Sequence, residues 1–499
     1  MTIHIGYSRR TRATLALTFT FATLALFYIL STTLHTASAS GGGSLQLSTD
    51  PYTNSTSQHK TEVEPDTYSF NSTIVSAFQV GRFTNGGGSN TGWATSTDNG
   101  TTWAHGFLPG TTVYATPAGT YARISDPSVT YDARHKTWMI AGLAILNEGG
   151  TPTGAAVLVS RSFDGGLTWS NPVTVAKAAT GAFFDKDWIV CDNTKTSSFY
   201  GHCYVEWDLA SSGDRVFMST STNGGLTWRK GLNTADHASG LGGQPLVQPN
   251  GTVVVPFFDG SAHILAFTST NGGTSWNKSV TVSAEINHVV AGNLRSEPLP
   301  SAEIDGAGKI YLVWQDCRFE TGCAANDIVL STSTDGTTWS AVQRIPIDTT
   351  KSGVDHFIPG IGVDKSTSGS TAHIGLAYYY YSNANCTTTT CQLNVGFVSS
   401  TNGGSSWSVP STLSPSPMKV TWLANTTLGY MVGDYISTSF ANGTAYPVFT
   451  YATAPSGGAF NESEYTFTSL PLSGGTHTAT GDHVVVPSGH RTAPVLSAY

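Results

Sequence analysis

One short polar pattern recurs through the chain and constrains its fold more than any other feature. It starts with serine, carries Asp or Asn two residues later, continues with glycine and ends in tryptophan. The six copies, called boxes below, lie at 96–103, 162–169, 221–228, 269–276, 333–339 and 400–407. Asp and Asn side chains bond turn backbones and glycine adopts positive φ, so each box predicts a tight hairpin whose tryptophan packs on a sheet.

A second pattern lies upstream of the boxes and sets the number of repeating units. Its copies lie at 64–65, 126–129, 187–190, 244–247, 299–302, 358–361 and 433–436, and β-branched or aromatic runs follow them. The periodicity predicts four strands per unit, and a spacing of roughly 40–70 residues is typical of propeller blades. The sequence therefore predicts an all-β fold, a seven-bladed β-propeller of four-stranded antiparallel blades over residues 61–488. The seventh unit lacks a box.

The composition supports short strands and excludes one class of partner. Only 11% of the residues are charged and glycine occurs 54 times, which favours many turns over long helices. The net charge of −8 comes without a basic cluster, so nucleic acid is not expected as a partner. One array of repeats in a single chain predicts a monomer.

The N-terminal segment has the pattern of an export signal. Three arginines within 9–12 precede the apolar stretch 15–34, and small residues at 37–39 fit a cleavage site. Residues 1–39 are therefore predicted to be a signal peptide, with a retained membrane anchor as the alternative. Either one places the rest of the chain outside the cytoplasm, and the first predicts a secreted protein without membrane contact.

The ends of the repeat region leave one strand unassigned. The seventh unit contains only three strand-like runs, so its outer strand must come from elsewhere. One source is segment 45–47 within the linker 40–60, and the other is segment 483–486, ahead of the tail 489–499. Either strand would cover an exposed sheet edge.

The six cysteines fall into three close pairs. The pairs are Cys191 with Cys203, Cys317 with Cys323, and Cys386 with Cys391. Short local pairs in an exported chain predict disulfides. Zinc is the weaker alternative, because none of the spacings is C-x₂-C.

The order of the strands places boxes and ionisable residues at opposite ends of the blades. In a four-stranded meander, the hairpin of strands three and four lies at the same end as that of strands one and two. The boxes occupy that end. The other end collects Glu62, Glu64, Arg82, Arg123, Asp126, Asp185, Lys186, Asp187, Asp208, Gln244, Asp259, His288, Arg295, Glu297, Asp316, Arg318, Asp355, His356, Asp434 and Tyr435. In a chain this poor in charge, such a collection predicts a functional site.

Four arginines of this set point to an anionic ligand. Like charges buried together cost free energy unless they share an anion, which predicts a carboxylate bound by Arg82, Arg123, Arg295 and Arg318. The aspartates also have a structural alternative, because an Asp can cap the start of a strand. No cofactor is required by this pattern, and calcium at 185–187 is the metal alternative.

The boxes resemble the Asp-box repeat of sialidases and related propellers, most fully at 96–103 and 162–169. The resemblance covers most of the chain beyond the predicted signal. It implies six blades, which is the alternative to the seven units counted here. Sialidases bind the sugar carboxylate through an arginine cluster and use a tyrosine nucleophile with an assisting glutamate, while an aspartate shuttles the proton.

The resemblance implies roles for particular residues of this chain. They are Arg123, Arg295 and Arg318 at the carboxylate, Tyr435 as nucleophile, Glu297 or Glu64 as its partner, and Asp126 as proton shuttle. A neutral phenol suits an anionic sugar, because a carboxylate nucleophile would be repelled. His356 is a further catalytic candidate, and the expected surroundings are Asp187, Lys186, Gln244, His288 and Asp434.

Three functions from different classes remain open at this stage. The first is a secreted, sialidase-like exo-glycoside hydrolase that removes a terminal acidic sugar from a glycan. The second is a polysaccharide lyase that acts on uronates, with His288, His356, Lys186 or Tyr435 removing the proton. The third is a propeller that binds glycan or protein without catalysis.

Overall fold

The computed structural model describes residues 35–38, 43–468, 470, 472–475 and 477–478. Most of the predicted signal peptide, the alternative outer strand 483–486 and the tail 489–499 lie outside these residues. The described chain is all-β, and its helical segments are 3₁₀ turns at Ala210–Ser212, Thr321–Cys323, Gly369–Thr371 and Val420–Trp422. Within the described residues, no helix has the length and apolar character needed to cross a membrane.

Antiparallel groups of four strands follow one another along the described chain and are numbered here as sheets in chain order, and sheets 1 and 2 are joined by the pair of Gly88 with Ile124. Sheet 1 comprises Glu62–Phe70, Thr73–Arg82, Gly88–Ser96 and Thr102–Phe107, and sheet 2 comprises Arg123–Asp132, Thr137–Glu148, Thr151–Ser162 and Val173–Lys177. Sheet 3 comprises Asp185–Cys191, Cys203–Leu209, Arg215–Ser221 and Leu232–Asn233, and sheet 4 comprises Leu246–Val247, Val253–Phe258, His263–Ser269 and Val280–Ala284.

The remaining sheets repeat the same plan. Sheet 5 comprises Ser301–Ile304, Ile310–Asp316, Asp327–Ser333 and Gln343–Arg344, and sheet 6 comprises Asp355–Val363, Ile374–Tyr381, Gln392–Ser400 and Ser411–Thr412, with Met418–Lys419 also paired to its third strand. Sheet 7 comprises Ser437–Ala441, Thr444–Ala452, Glu462–Phe467 and Ser44–Gln46. Short pairs form between Ala424–Thr426 and Gly429–Met431, between Ser406–Trp407 and His477–Thr478, and between His35–Ser38 and the last strand of sheet 1.

The outer strand of sheet 7 comes from the N-terminal part of the chain. Ser44 pairs with Phe467 and Gln46 pairs with Tyr465, and the Leu47 amide donates to the Glu464 carbonyl at 2.8 Å. Of the two sources that the sequence left open, the structure has segment 44–46. The strand covers the free edge of sheet 7.

The first strands of the sheets are neighbours of one another in chain order. Each contacts the next, and the first strand of sheet 7 contacts the first strand of sheet 1. One cavity of about 650 Å³ is lined by residues from the first strand of every sheet. The starts of these seven strands are thereby gathered at the same end of the cavity.

Apolar side chains fill the space between consecutive sheets. Between sheets 5 and 6, for example, Tyr311 and Val313 pack against Ile374, Leu376 and Tyr378 in one buried cluster. β-branched and aromatic residues suit this position because strand side chains alternate between the two faces of a sheet.

The boxes form tight hairpins held by their own side chains. In all six, a glycine amide donates to the Oγ of the first serine, over 2.8–3.1 Å. In the first box, Asp98 Oδ1 accepts from the Thr102 amide at 2.9 Å, and the Trp103 ring nitrogen donates to the Gly100 carbonyl at 3.1 Å. The acidic residue of a box is thus engaged by its own turn.

Candidate active site

Four of the first strands carry a bulge near their start, and three of the bulged residues are charged. The register of these strands shifts around Glu64, Asp126, Lys186 and Ile358. All four have positive φ, between 44° and 58°, although none is glycine. Such a conformation costs about 1–3 kcal/mol per residue and is common at functional sites.

Charged side chains from four sheets meet beside these bulges. The Lys186 ammonium donates to Asp126 Oδ1 at 3.3 Å and also to Asp434. Asp434 follows Gly433 at the start of sheet 7 and accepts from Arg295 Nη2 at 2.5 Å. Arg295 Nε lies 3.8 Å from Glu297 Oε2. Two cations, Lys186 and Arg295, therefore share the carboxylate of Asp434 in one buried network.

Arg82 lies beside this network and bonds the neutral side-chain amide of Gln79. Its Nη1 donates to Gln79 Oε1 at 2.8 Å, and the Gln79 amide nitrogen donates to Glu64 and to Ser125 Oγ. A small pocket opens here, called the central charged pocket below. Its lining consists of Glu64, Arg82, Gly86, Gly87, Ser125, Asp126, Asp185 and Arg295.

The central charged pocket places proton-holding acids beside permanent ions. Burial, reinforced by the charge of Asp126, raises the pKa of Glu64 to about 8. Burial and Asp126 also raise the pKa of Asp185 to about 7. Burial alone would raise the pKa of Asp434, but Arg295 and Lys186 hold it well below its usual range. Near neutral pH, Glu64 is therefore a proton donor and Asp434 is an anion.

Lys186 stays charged in spite of its burial. Desolvation lowers the pKa of its ammonium, but the carboxylates of Asp434, Asp126 and Glu64 raise it well above its ordinary value. Its charge lies between the carboxylates of Asp126 and Asp434. Among the described residues, the one group of three carboxylate or imidazole ligands with metal-binding spacing lies elsewhere, at 327–356.

Three more acids lie buried next to Lys186. Carboxyl oxygens of Asp187, Glu206 and Asp208 have no hydrogen-bond partner within the described part of the chain. Burial raises the pKa of all three well above their usual ranges. Glu206 was not among the residues predicted from the sequence. Its signal was a second acid, two residues before Asp208, in the strand Cys203–Leu209, where a buried acid needs a functional or paired environment.

Tyr435 lies beneath the central charged pocket with its hydroxyl engaged. The hydroxyl donates to the Pro127 carbonyl at 3.0 Å, and the ring packs edge-on against Trp188 at a centroid distance of 4.9 Å. Burial raises the pKa of Tyr435 well above its usual value, and the charges of Glu64 and Asp126 add to this. This hydrogen bond engages neither Glu64 nor Glu297, the two glutamates predicted to assist Tyr435.

Two of the four predicted arginines line the central charged pocket and two do not. Arg82 and Arg295 line the central charged pocket. Arg123 lies at its edge, where Nη1 donates to Asn85 Oδ1 at 2.7 Å and to the Gly86 carbonyl at 2.8 Å. Arg318 differs from the prediction, because it does not line this pocket. Its Nε donates to Asp316 Oδ1 at 2.8 Å, so Asp316 holds its guanidinium.

Both predicted histidines lie outside the central charged pocket. His288 Nδ1 is 3.2 Å from Asp355 Oδ2. His356 is buried between sheets 5 and 6, where desolvation lowers the pKa of its ring below the ordinary value. Gln244 bonds the first strand of sheet 5, because its Oε1 accepts a hydrogen bond from the Ala302 amide at 2.9 Å. These three residues do not line the central charged pocket.

All three predicted disulfides are confirmed. Cys191–Cys203 links the first two strands of sheet 3, where the two residues face each other in register. Cys317–Cys323 and Cys386–Cys391 close short loops. Three such bonds fit an extracellular protein.

No family model matches the chain, and no curated protein matches it. Solved structures do align with it. A leech intramolecular trans-sialidase in complex with 2,7-anhydro-Neu5Ac gives a TM-score of 0.45 with 14% identity, over 68% of this chain and 67% of that chain. A Hadza microbial sialidase gives a TM-score of 0.43 with 13% identity, over 89% and 95%. An α-L-arabinofuranosidase of Fusarium graminearum gives a TM-score of 0.42 with 13% identity, over 72% and 97%.

Sialidases occur among the structures that align.

Proposed function

We propose that the seven sheets are blades of one propeller and that the central charged pocket hydrolyses glycosidic bonds, releasing a terminal acidic sugar outside the cytoplasm. The observation that carries this proposal is the convergence of Glu64, Asp126, Lys186 and Asp434 from the starts of four first strands. Strained, charged residues at one point are a pattern of catalytic sites rather than of packing.

Glu64 supplies the proton for the leaving sugar oxygen. Glycosidases pair a protonated carboxyl group with a second, ionised one. A pKa raised to about 8 by burial keeps Glu64 protonated at neutral pH, and the Gln79 amide orients its carboxyl group. Asp126, whose Oδ1 accepts from the Lys186 ammonium on the adjacent first strand, takes a proton from the water that attacks the anomeric carbon, so no carboxylate attacks the acidic sugar.

The surroundings of the Arg82 guanidinium favour binding of an acidic substrate. Its guanidinium bonds a neutral amide, its Nε has no hydrogen-bond partner among the described residues, and burial lowers its pKa. Its charge is therefore less compensated than that of Arg295, which pairs with Asp434. A sugar carboxylate would complete the hydrogen bonds of Arg82 with the fork geometry that guanidinium prefers.

The test compares three sets of glycans: sialylated, uronate-capped and neutral. We expect the protein to release a saturated acidic monosaccharide and to leave neutral glycans unchanged. Release of an unsaturated uronate, which absorbs in the near ultraviolet, would show that the reaction is β-elimination and not hydrolysis. Unchanged glycans in all three sets would overturn the enzymatic proposal in favour of a binding propeller.

A variant of Glu64 tests the proton donor. We expect Glu64→Gln to lower kcat on natural glycans by about 10²–10⁴-fold, because protonation of the leaving group is lost. Aryl glycosides need little protonation and should retain most of their rate. Equal losses on both substrates would remove Glu64 from this role.

Two arginine variants test the carboxylate site. Arg82→Met should raise KM for acidic glycans by about tenfold or more, as expected when a charged hydrogen bond is lost. Arg318→Met is the matched control, because Asp316 already holds that guanidinium. Equal effects of both variants would contradict the proposed role of Arg82.

A further inference from the structure

A second group of polar side chains lies away from the central charged pocket, where sheet 5 meets sheet 6. Asp327 begins the third strand of sheet 5, His356 lies in the first strand of sheet 6, and Asp348 lies in the loop between them. One ligand atom from each of the three lies within 4.8 Å of the others. Within the described residues, this is the one group of three His, Cys, Asp or Glu with such spacing.

The hydrogen bond of His356 leaves one ring nitrogen available as a ligand. Nδ1 lies 3.3 Å from the Asn326 carbonyl oxygen, which can only accept, so Nδ1 carries the hydrogen. In the neutral ring, Nε2 then presents a lone pair. It lies 3.8 Å from Asp348 Oδ2, beyond the range of a hydrogen bond. A lone pair that faces a carboxylate oxygen calls for a cation between them.

Each aspartate also has an oxygen that is not used by Arg344. The Arg344 Nη2 lies 2.7 Å from Asp327 Oδ1 and 2.5 Å from Asp348 Oδ1. Asp327 is 2% exposed, and its Oδ2 has no hydrogen-bond partner in the described chain. Asp348 Oδ2 accepts from Ser352 Oγ at 2.6 Å and has capacity for a further partner. The unpartnered Asp327 oxygen is the independent sign of a missing ligand.

A third acid lies near the two aspartates. Glu320 is 4% exposed, and its oxygens accept from the Lys351 amide at 2.9 and 3.2 Å. The Arg344 guanidinium is buried among these acids, while the Lys351 side chain is exposed. A divalent cation would add positive charge among the three acids.

The backbone around His356 is fixed by a second set of hydrogen bonds. The Asn326 amide donates to Asp355 Oδ1 at 2.7 Å, and the Asn326 side-chain nitrogen donates to the His288 carbonyl at 2.7 Å. These contacts hold the carbonyl that orients the His356 ring. Metal-binding histidines are commonly oriented in this way through the nitrogen that does not bind the metal.

We propose that Asp327, Asp348 and His356 form a binding site for a divalent transition cation, Zn²⁺ foremost. One imidazole nitrogen with carboxylate oxygens suits Zn²⁺, and Mn²⁺ is the other ion that such a donor set accepts. A bound ion would fasten the loop after Arg344 to sheets 5 and 6. The site is separate from the central charged pocket and does not depend on the proposed glycosidase activity.

The experiment titrates the full chain, freed of metal by a chelator, with Zn²⁺ and separately with Mn²⁺ in a calorimeter. We expect one Zn²⁺ per chain, and a loss of affinity of about 10-fold to 100-fold or more in Asp327→Asn and in His356→Gln. Asp259→Asn is the matched control, since Asp259 and His263 form another Asp–His pair, at 2.8 Å, without a third ligand. Absence of saturable binding, or unchanged binding by His356→Gln, would overturn the proposal.

A measurement on the unaltered chain covers the case in which the variants fail to fold. Co²⁺ in a site of nitrogen and oxygen ligands gives a visible d–d absorption band that Zn²⁺ displaces. We expect this band to saturate at one Co²⁺ per chain. A chain that gives no such band with Co²⁺ does not contain the site.

Discussion

The acids of the boxes differ in hydrogen bonding from several buried acids in and beside the central charged pocket. Asp164 of the second box accepts four hydrogen bonds, from Ser162, Leu167 and Thr168, at 2.6–3.2 Å. Asp187 is buried, and neither of its carboxyl oxygens has a hydrogen-bond partner among the described residues. The fold thus satisfies the acids it uses as turns and leaves others unsatisfied at its centre.

The pKa values of the two sets follow from this difference. In the box at 333–339, hydrogen bonds from the backbone of Thr338 and Thr337 lower the pKa of Asp335 to about 2. In the central charged pocket, burial and Asp126 raise the pKa of Glu64 to about 8. Hydrogen bonds to a carboxylate favour its ionised form, and desolvation favours the protonated one. A box therefore stabilises the fold, whereas Glu64 costs stability and retains a proton for chemistry.

The sequence predicted the boxes better than the central charged pocket because boxes are local. Every partner of Asp164 lies within four residues of it, so the motif itself contains the geometry. The source of the outer strand of sheet 7 stayed open, since two distant segments had suitable patterns. Arg318 was misplaced because its pairing with Asp316 competes locally with any shared anion. Glu206 was missed because an acid inside a strand belongs to neither of the two repeating patterns.

The largest expected effect comes from removing an ion of the central network. Asp434→Ala leaves Lys186 and Arg295 buried with one carboxylate fewer. Breaking a buried pair from one side costs about 3–5 kcal/mol of the free energy of unfolding. Urea unfolding followed by tryptophan fluorescence measures the loss. A cost below about 1 kcal/mol would show that solvent reaches these charges.

Glu62 is a buried acid outside the central charged pocket, so a variant of it tests the effect of burial on stability without changing the proposed catalytic residues. Burial raises the pKa of Glu62 to about 8, against a bond from the Glu464 amide that lowers it. As the pH rises above about 4.5, the unfolded chain releases the proton of Glu62, whereas the folded chain keeps it. This contribution to stability is therefore complete below about pH 4.5, and it declines as the pH rises to about 8.

Glu62→Gln removes that titration. The difference in free energy of unfolding between the variant and the unaltered chain should therefore shift in favour of the variant by about 1–3 kcal/mol from pH 5 to pH 9, the range for an incompletely paired buried group. Unfolding in urea at pH 5, 7 and 9 tests this on both chains. Glu62 does not line the central charged pocket, so glycan hydrolysis should change little. Parallel stability curves of the two chains would contradict the raised pKa.

A smaller effect is expected when a box loses its acid. Asp164→Ala removes four hydrogen bonds at a solvent-exposed turn, where water replaces the lost partners. The cost should be about 1–2 kcal/mol, as for the removal of a helix N-cap, and kcat should not change. Thermal unfolding and the glycan assay together test this separation. A fall in kcat without a fall in stability would mean that the boxes take part in the reaction.

The smallest effect is expected at Tyr435. Its hydroxyl donates to the Pro127 carbonyl, so Tyr435→Phe leaves one buried acceptor unpaired and should cost about 1 kcal/mol. In the arrangement described here the carboxyl groups of Glu64 and Asp126 perform the chemistry, and hydrolysis should persist in this variant with a pH optimum close to that of the unaltered chain. Loss of hydrolysis with stability retained would instead give Tyr435 the nucleophilic role that the sialidase resemblance implied. That outcome would require the hydroxyl to leave Pro127 and approach Glu64 when a glycan binds, and a structure with a bound acidic sugar would show which partner it has.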